Sequence, residues 1–570
     1  MKKIVLVLIA LLIVQNVVFS QASSQAQQEQ KKGSWYKKSP ESGLFGIDLE
    51  GAKELLKNQK IKKTPVVAII GSGVDNEHEA LSHAKWINPK EKDNDIDDDK
   101  NGYVDDINGW NFIANKQGEE MTNTMNNADR EWLRMKDKYA DLIYNKKEYY
   151  TYKNGEKVIV PAPADMAEYN YFKKLLLSQT TNLGSVYAGY VNSKEIEKFV
   201  IEWDKKLDKT YPNRNRLGFT LKDLKEAVLY EGAPADSIRD FNLTLVYMYM
   251  GMLQKYVDAD QYWKYTYENF TGKQEKTSLD SYNKALQRED IGQRKRIIGD
   301  NPFDLNDNKY GTNQLLTSNA TSGTAFSGIV AGKNEETGFT GVFPDAKIMN
   351  LVTNTVKGEP YVKDLVLAVR YAVDNGADVV LLPQQAVLYT SDEIKWMHDA
   401  LKYADKKGVL VVVPVMQYSV NMDDQLYYPS TNMLPKSKLN NLITVACSDS
   451  LGNPAINTNY GAKGIDIVAP GMLIYTTIPG DMYAMGNSAS MGAVVTVASA
   501  ALIKAYFPKM KPAELKKQFM NNVTDLKDRE VTVTIKVKSK SSQEQFLYSQ
   551  VSASGGVLNL KNTVKAIMKK

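Results

Sequence analysis

Residues 408–416 read GVLVVVPVM and residues 377–383 read ADVVLLP. Both are unbroken apolar runs rich in β-branched residues and bounded by Gly, Asp or Pro, the pattern of a strand buried on both faces. Two more of the same kind are AKIMNLVT at 346–353 and LITVACS at 442–448. Between these runs lie VKDLVLAVRYAVDNG (362–376) and SDEIKWMHDALKYADKKG (391–408), whose apolar residues recur at helical spacing. Each helix pattern stops at a glycine, Gly376 or Gly408, where a left-handed cap lets the chain turn back. Continuous apolar strands separated by helices predict a parallel sheet covered on both sides, an α/β/α layering.

Working toward the N-terminus, TPVVAIIGSGVD (64–75) reads as another buried strand ended by glycines. From 115 to 295 the texture changes. NADREWLRMKDKYADLIYNKKEYY (127–150), LKDLKEAVLYEG (221–232) and DFNLTLVYMYMGMLQKYV (240–257) carry apolar and aromatic residues at helical spacing among charges. We read this region as a helical insertion whose Tyr and Met serve packing. The expected organisation is a leader at 23–45, a core in two parts (46–114 and 296–570), and the insertion at 115–295 between them.

The first 22 residues, MKKIVLVLIALLIVQNVVFSQA, place a lysine pair before an apolar run and small residues after it. That is a secretory signal peptide; a membrane anchor is the alternative reading. No cysteine stands at the cleavage region, which excludes lipid anchoring by that route. The polar stretch 23–45 reads as flexible. Cys447 is the only cysteine in 570 residues, so no internal disulfide holds an exported chain together. It sits within LITVACSDS and reads as an inert core residue. A net charge of +5 is too small for a nucleic-acid footprint. No later segment reaches the roughly 20 apolar residues of a transmembrane helix.

GVFPDAKIMNLV (341–352), NYGAKGIDIVAPG (459–471), ALIKAYFP (501–508) and SGGVLNLKNTVKAI (554–567) occur in one order. Together they resemble the subtilisin-like serine proteases (subtilases), most of all the Bacteroidetes-type group with an acidic turn and an insertion after the first catalytic strand. The resemblance implies a three-layer α/β/α subtilisin-like fold. It also implies four catalytic positions: a serine nucleophile, a histidine base, an aspartate that orients the base, and an amide that holds the oxyanion.

Carried over residue by residue, the four positions are altered in all but one place. The family's Asp-Ser/Thr-Gly corresponds to Gly71-Ser72-Gly73, so Gly71 occupies the aspartate position. Asp75 lies four residues further on and matches a second acidic residue of the motif. The family's His-Gly-Thr-His corresponds to Ser322-Gly323-Thr324-Ala325, so Ser322 occupies the base position. Gln417 falls where the oxyanion asparagine is expected, one methylene longer. Ser490, in Ser488-Ala489-Ser490-Met491-Gly492, matches the nucleophile; an alternative register places Ser488 there. The chain holds three histidines, His78, His83 and His398, and none stands where the base is expected. Pro383-Gln384-Gln385 replaces the Ser-x-Gly segment that pairs with the substrate backbone, and proline has no N–H to donate.

In DNDIDDDKNGYVDDINGWNF (93–112), Asp97, Asp99, Asn101, Gly102, Asp105 and Asn108 match positions 1, 3, 5, 6, 9 and 12 of a calcium-loop template. The Tyr103 carbonyl falls at position 7, and alternating carboxylates let one hard cation gather several oxygens. The alternative is a solvated acidic turn held by Asx hydrogen bonds. Calcium is therefore the one cofactor the sequence suggests.

The function expected is that of an exported subtilase-fold pseudoprotease of the cell envelope, periplasmic rather than released, which binds a protein or peptide partner. The insertion, rich in Tyr, is the expected partner surface. A serine endopeptidase with unusual chemistry at Ser490 is the alternative, and a structural subunit of an envelope assembly is a third. The chain ends in a short helix pattern with no Ig-like sorting domain after the core, which disfavours release by a route that reads one.

Overall fold

The computed structural model describes residues 33–153, 156–177, 181–212, 219–220, 222–223, 237–253, 255–258, 261–424, 426–537 and 540–569. The signal peptide expected at 1–22 lies outside the described residues, as does most of the helix expected at 221–232. The chain forms two compact units, one of residues up to 124 together with 293–570, the other of residues 125–292.

The first unit is built on a nine-stranded sheet. From one edge to the other the strands are Thr524–Asp525, Gly556–Val557, Ile467–Pro470, Leu442–Ser448, Leu410–Pro414, Val379–Leu381, Val66–Gly71, Lys347–Val352 and Gly109–Asn111. Every neighbouring pair is parallel except the edge pair Thr524–Asp525 with Gly556–Val557. The apolar runs therefore became the central strands, buried along their length.

Alternation along each strand divides these side chains between two cores. Val67, Ile69, Val379, Leu381, Leu410 and Val412 face the helices Thr321–Ala331 and Ala489–Tyr506. Ala68, Ile70, Val380, Leu382, Val411 and Val413 face the helices Val362–Asp374 and Ser391–Lys407. This is the three-layer α/β/α arrangement. Gly376 and Gly408 adopt left-handed φ values of 80° and 82° at the ends of the second pair of helices, as their positions predict. Among the described residues, one helix, Ala489–Tyr506, is long and apolar enough to cross a membrane, and it is buried in the first core.

Two expectations need correction. The leader read as flexible at 23–45 is ordered over its described part, 33–45. Trp35 and Tyr36 are buried in the core, and the Trp35 indole N–H donates to the Met472 and Leu473 carbonyls at 2.9 and 3.2 Å. Two aromatic rings outweighed the polar composition around them. The insertion at 115–295 is also not wholly helical, and 115–124 belongs to the first unit. Within 125–292 the helix Asn127–Tyr139 is followed by a three-stranded meander, Ile143–Tyr144, Tyr149–Lys153 and Glu156–Val160. Asn145 turns the chain by accepting the Lys147 and Glu148 amides, and the tyrosines that follow favour strand. The rest of this unit is helical, with its own core around Val200, Leu207, Met250 and Trp263.

Candidate functional site

Parallel strands end on one edge of the sheet, and the sequence-expected positions gather there. Gly71 is the last residue of its strand, Pro383 follows Val379–Leu381, and Gln417 follows Leu410–Pro414. Ser322 lies in the first turn of the helix Thr321–Ala331, and that helix start is fastened to the end of the Gly71 strand. The Thr317 hydroxyl donates to the Ser72 carbonyl at 2.5 Å, and the Gly323 amide donates to the Ser72 hydroxyl at 3.3 Å. The Asp75 amide donates to the Thr324 hydroxyl at 2.9 Å.

The helix carrying Ser490 starts against the ends of Leu442–Ser448 and Ile467–Pro470. A Cβ on Gly492 would sit about 3 Å from the Ala469 and Ala446 carbonyl oxygens and from Cys447. Ser488 is the cap of this helix: its backbone is extended and its hydroxyl accepts the Ser490 amide at 3.2 Å. The cap role that a serine can take here thus falls to Ser488, leaving the half-buried Ser490 hydroxyl free of that duty. Among the described residues, no hydrogen bond joins the Ser490 hydroxyl to an acceptor. Cys447, beneath this helix start, is fully buried, and burial pushes its thiol pKa up to about 12.

No acid or base lies at the other positions. A side chain placed on Gly71 would meet nothing within 4 Å of its Cβ. Ser322 and Gln417 are exposed. Each histidine is held elsewhere. His78 is buried, accepts the Ala80 amide at 3.0 Å, and has Nε2 3.1 Å from the Met482 carbonyl. His83 has Nε2 3.2 Å from the Pro344 carbonyl, and His398 has Nε2 2.8 Å from the Ser437 hydroxyl. Asp75 is engaged too, its carboxylate accepting the Gly480 and Glu77 amides at 2.9 and 3.3 Å. With His78 it holds the hairpin Ile474–Ile478/Met482–Gly486, a structural duty that sequence reading did not reveal.

The segment after Val379–Leu381 is closed by its own chain. Ala386 and Tyr428 exchange two backbone hydrogen bonds at 2.7 and 2.8 Å. Gln385 is fully buried and donates to the Pro429 carbonyl at 2.8 Å.

The family model described as the subtilase family (Peptidase S8) matches residues 225–535, more than half of the chain. The chain belongs to the subtilase family. It is 28% identical over 204 residues to Subtilisin Savinase of Lederbergia lenta, covering 36% of this chain and 70% of that one. It is equally similar over 204 residues to an alkaline protease of Alkalihalobacillus alcalophilus, covering 36% of this chain and half of that protein's length. Among solved structures, the subtilase cytotoxin SubAB assembly aligns over 45% of this chain and 81% of its own, at 17% identity and a TM-score of 0.36.

The acidic loop of this subtilase departs from the calcium-loop template. Asp97 and Asp99 do converge, but their third acidic neighbour is Glu91, with one oxygen of each residue lying within 4.8 Å of the others. Asp105 is not part of that group. Its two oxygens accept the Asn94 and Asp95 amides at 3.0 and 2.9 Å, closing the loop from upstream. The Asn108 side chain donates to the Trp86 carbonyl at 2.7 Å. Asn101 accepts the Tyr103 amide and donates to Asp106. Asp105 and Asn108 are therefore corrected out of the set, because each closes the loop instead. Glu91 was invisible to a fixed-spacing template, since it enters from six residues before the first position.

Burial raises the Glu91 pKa above the usual carboxylate range. The Asp99 amide, donating at 2.9 Å, opposes the rise, and the charges of Asp99, Asp97 and Asp98 add to it. Asp106 is buried beneath the same loop, and desolvation raises its pKa to about 6. Hydrogen bonds from Tyr371, Asn101 and Asn88 hold the shift down.

Proposed function

We propose that this subtilase is an exported pseudoprotease of the cell envelope, a non-catalytic protein that works by binding a protein or peptide. The observation that carries the proposal is the fate of the three histidines. All three are engaged at carbonyl or hydroxyl oxygens outside the helix start that bears Ser490. A serine hydroxyl is a poor nucleophile until a base takes its proton, and losing one member of such a unit costs nearly as much as losing all. The exchange of hydrogen bonds between Ala386 and Tyr428 supports the same reading, since it occupies backbone next to the segment expected to pair with substrate. The inserted unit, where Met248, Met252 and Tyr256 stand exposed, is the surface we assign to the partner.

The test is labelling of the purified mature protein with a serine-directed fluorophosphonate probe, beside Ser490→Ala, with folding checked by circular dichroism. Equal background labelling of both supports the proposal. Labelling that disappears in Ser490→Ala overturns it in favour of an endopeptidase with another base.

A further inference from the structure

The acidic loop carries an unmet demand for charge. Glu91 is 8% exposed, and its Oε1 accepts the Asp99 amide while its Oε2 is buried without a hydrogen-bond partner. The carboxylates of Asp97 and Asp99 converge on the same place, within 4.8 Å. Lys90, Lys92 and Lys100 stand in the same stretch of sequence, yet none forms an ion pair with Glu91 among the described residues, and the charges that bear on it are those of Asp97, Asp98 and Asp99. Three carboxylates gathered without a cation are costly, and a buried oxygen without a donor adds to the cost.

We propose that Glu91, Asp97 and Asp99 bind one calcium ion, with Glu91 rather than Asp105 or Asn108 as the ligand that completes the set. The chemistry selects the metal. All three donors are hard oxygens, and no histidine or cysteine joins them. Oxygens that bind calcium at 2.3–2.6 Å stand up to about 5 Å apart across the ion, whereas magnesium, at 2.0–2.1 Å, requires them within about 4.2 Å. A mutual spacing reaching 4.8 Å fits the larger ion. The loop is already set for it: Asp97 accepts the Asn101 and Gly102 amides at 3.0 and 2.8 Å, and Asp99 accepts the Asn101 amide at 3.0 Å. These bonds fix the carboxylates without neutralising them. Remaining coordination falls to water and main-chain oxygens, as is usual for this cation.

This proposal does not depend on whether Ser490 reacts. Its test is calorimetric titration of the EDTA-stripped mature chain with calcium chloride, and with magnesium chloride as comparison, together with the thermal midpoint in each salt. The expected result is calcium binding with a midpoint rise of about 3 °C or more near saturation, and little response to magnesium. Glu91→Gln keeps an acceptor for the Asp99 amide but removes the charge. It should weaken calcium binding at least about tenfold, with a midpoint in EDTA no lower than that of the native chain. Asp99→Asn, judged in the same way, covers the case in which Glu91→Gln does not fold. Identical midpoints in calcium and EDTA with no heat of binding, or undiminished affinity in a folded Glu91→Gln or Asp99→Asn chain, overturns the assignment.

Discussion

The catalytic edge of the sheet and the acidic loop are opposite cases of a site. At the edge the scaffold is complete and the reactive groups are few. The strand end at Gly71, the helix start at Ser322 and the capped helix at Ser490 are all fastened by named hydrogen bonds, yet Gly71 looks into open space. In the loop the reactive groups are abundant and the scaffold is local: Asp97, Asp99 and Glu91 are held mostly by amides a few residues away. The difference shows that a binding frame and the chemistry it carries are set by separate residues.

The strongest way to break that contrast is to put the chemistry back. Gly71→Asp, Ser322→His and Gln417→Asn together should raise fluorophosphonate labelling of Ser490 by about a hundred- to a thousandfold over the native chain. The empty space beside Gly71 accepts the first substitution, and the exposure of Ser322 and Gln417 accepts the others. An unchanged rate in a folded variant would mean that the frame, and not only the side chains, has moved away from reactivity.

The converse experiment leaves the chemistry alone and disturbs the frame. A Cβ on Gly323 would overlap the Gly73 carbonyl oxygen, where the helix start meets the strand end. Gly323→Ala should lower stability by about 2–3 kcal/mol, read as a lower denaturant midpoint. Gly71→Ala, with nothing within 4 Å of the new methyl carbon, should leave that midpoint nearly unchanged.

The same contrast decides how much could be read in advance. Strands such as Leu410–Pro414 were legible because burial on both faces leaves an unbroken apolar run. The altered catalytic positions were legible because each is a single residue at a fixed place in a motif. The meander at 143–160 was not, since Tyr and Lys at mixed spacing satisfy a helix as readily as a strand until Asn145 turns the chain. Nor was Glu91, whose approach to Asp99 depends on the path of the loop and not on any spacing along it. The clamp of His78 and Asp75 on a hairpin some 400 residues away is likewise a product of tertiary contact alone.

Two glutamates sharpen the point on a smaller scale. Glu91 has aspartates around it and a raised pKa, whereas Glu168 in the inserted unit has donors. The Tyr139 hydroxyl, the Lys138 ammonium and the Arg134 guanidinium reach it at 2.8, 3.0 and 3.1 Å and lower its pKa to about 2. A carboxylate whose folded pKa lies below its unfolded value stabilises the fold above the unfolded pKa, and that contribution disappears as pH falls through the folded one. Glu168→Gln should therefore cost stability at neutral pH. Allowing for solvent screening, the cost is about 1 kcal/mol. The gap between variant and native chain should begin to close as pH drops below the ordinary glutamate pKa and be gone near pH 2. Unfolding followed across that range would read it, and a gap independent of pH would mean that the three donors act by packing instead of by charge.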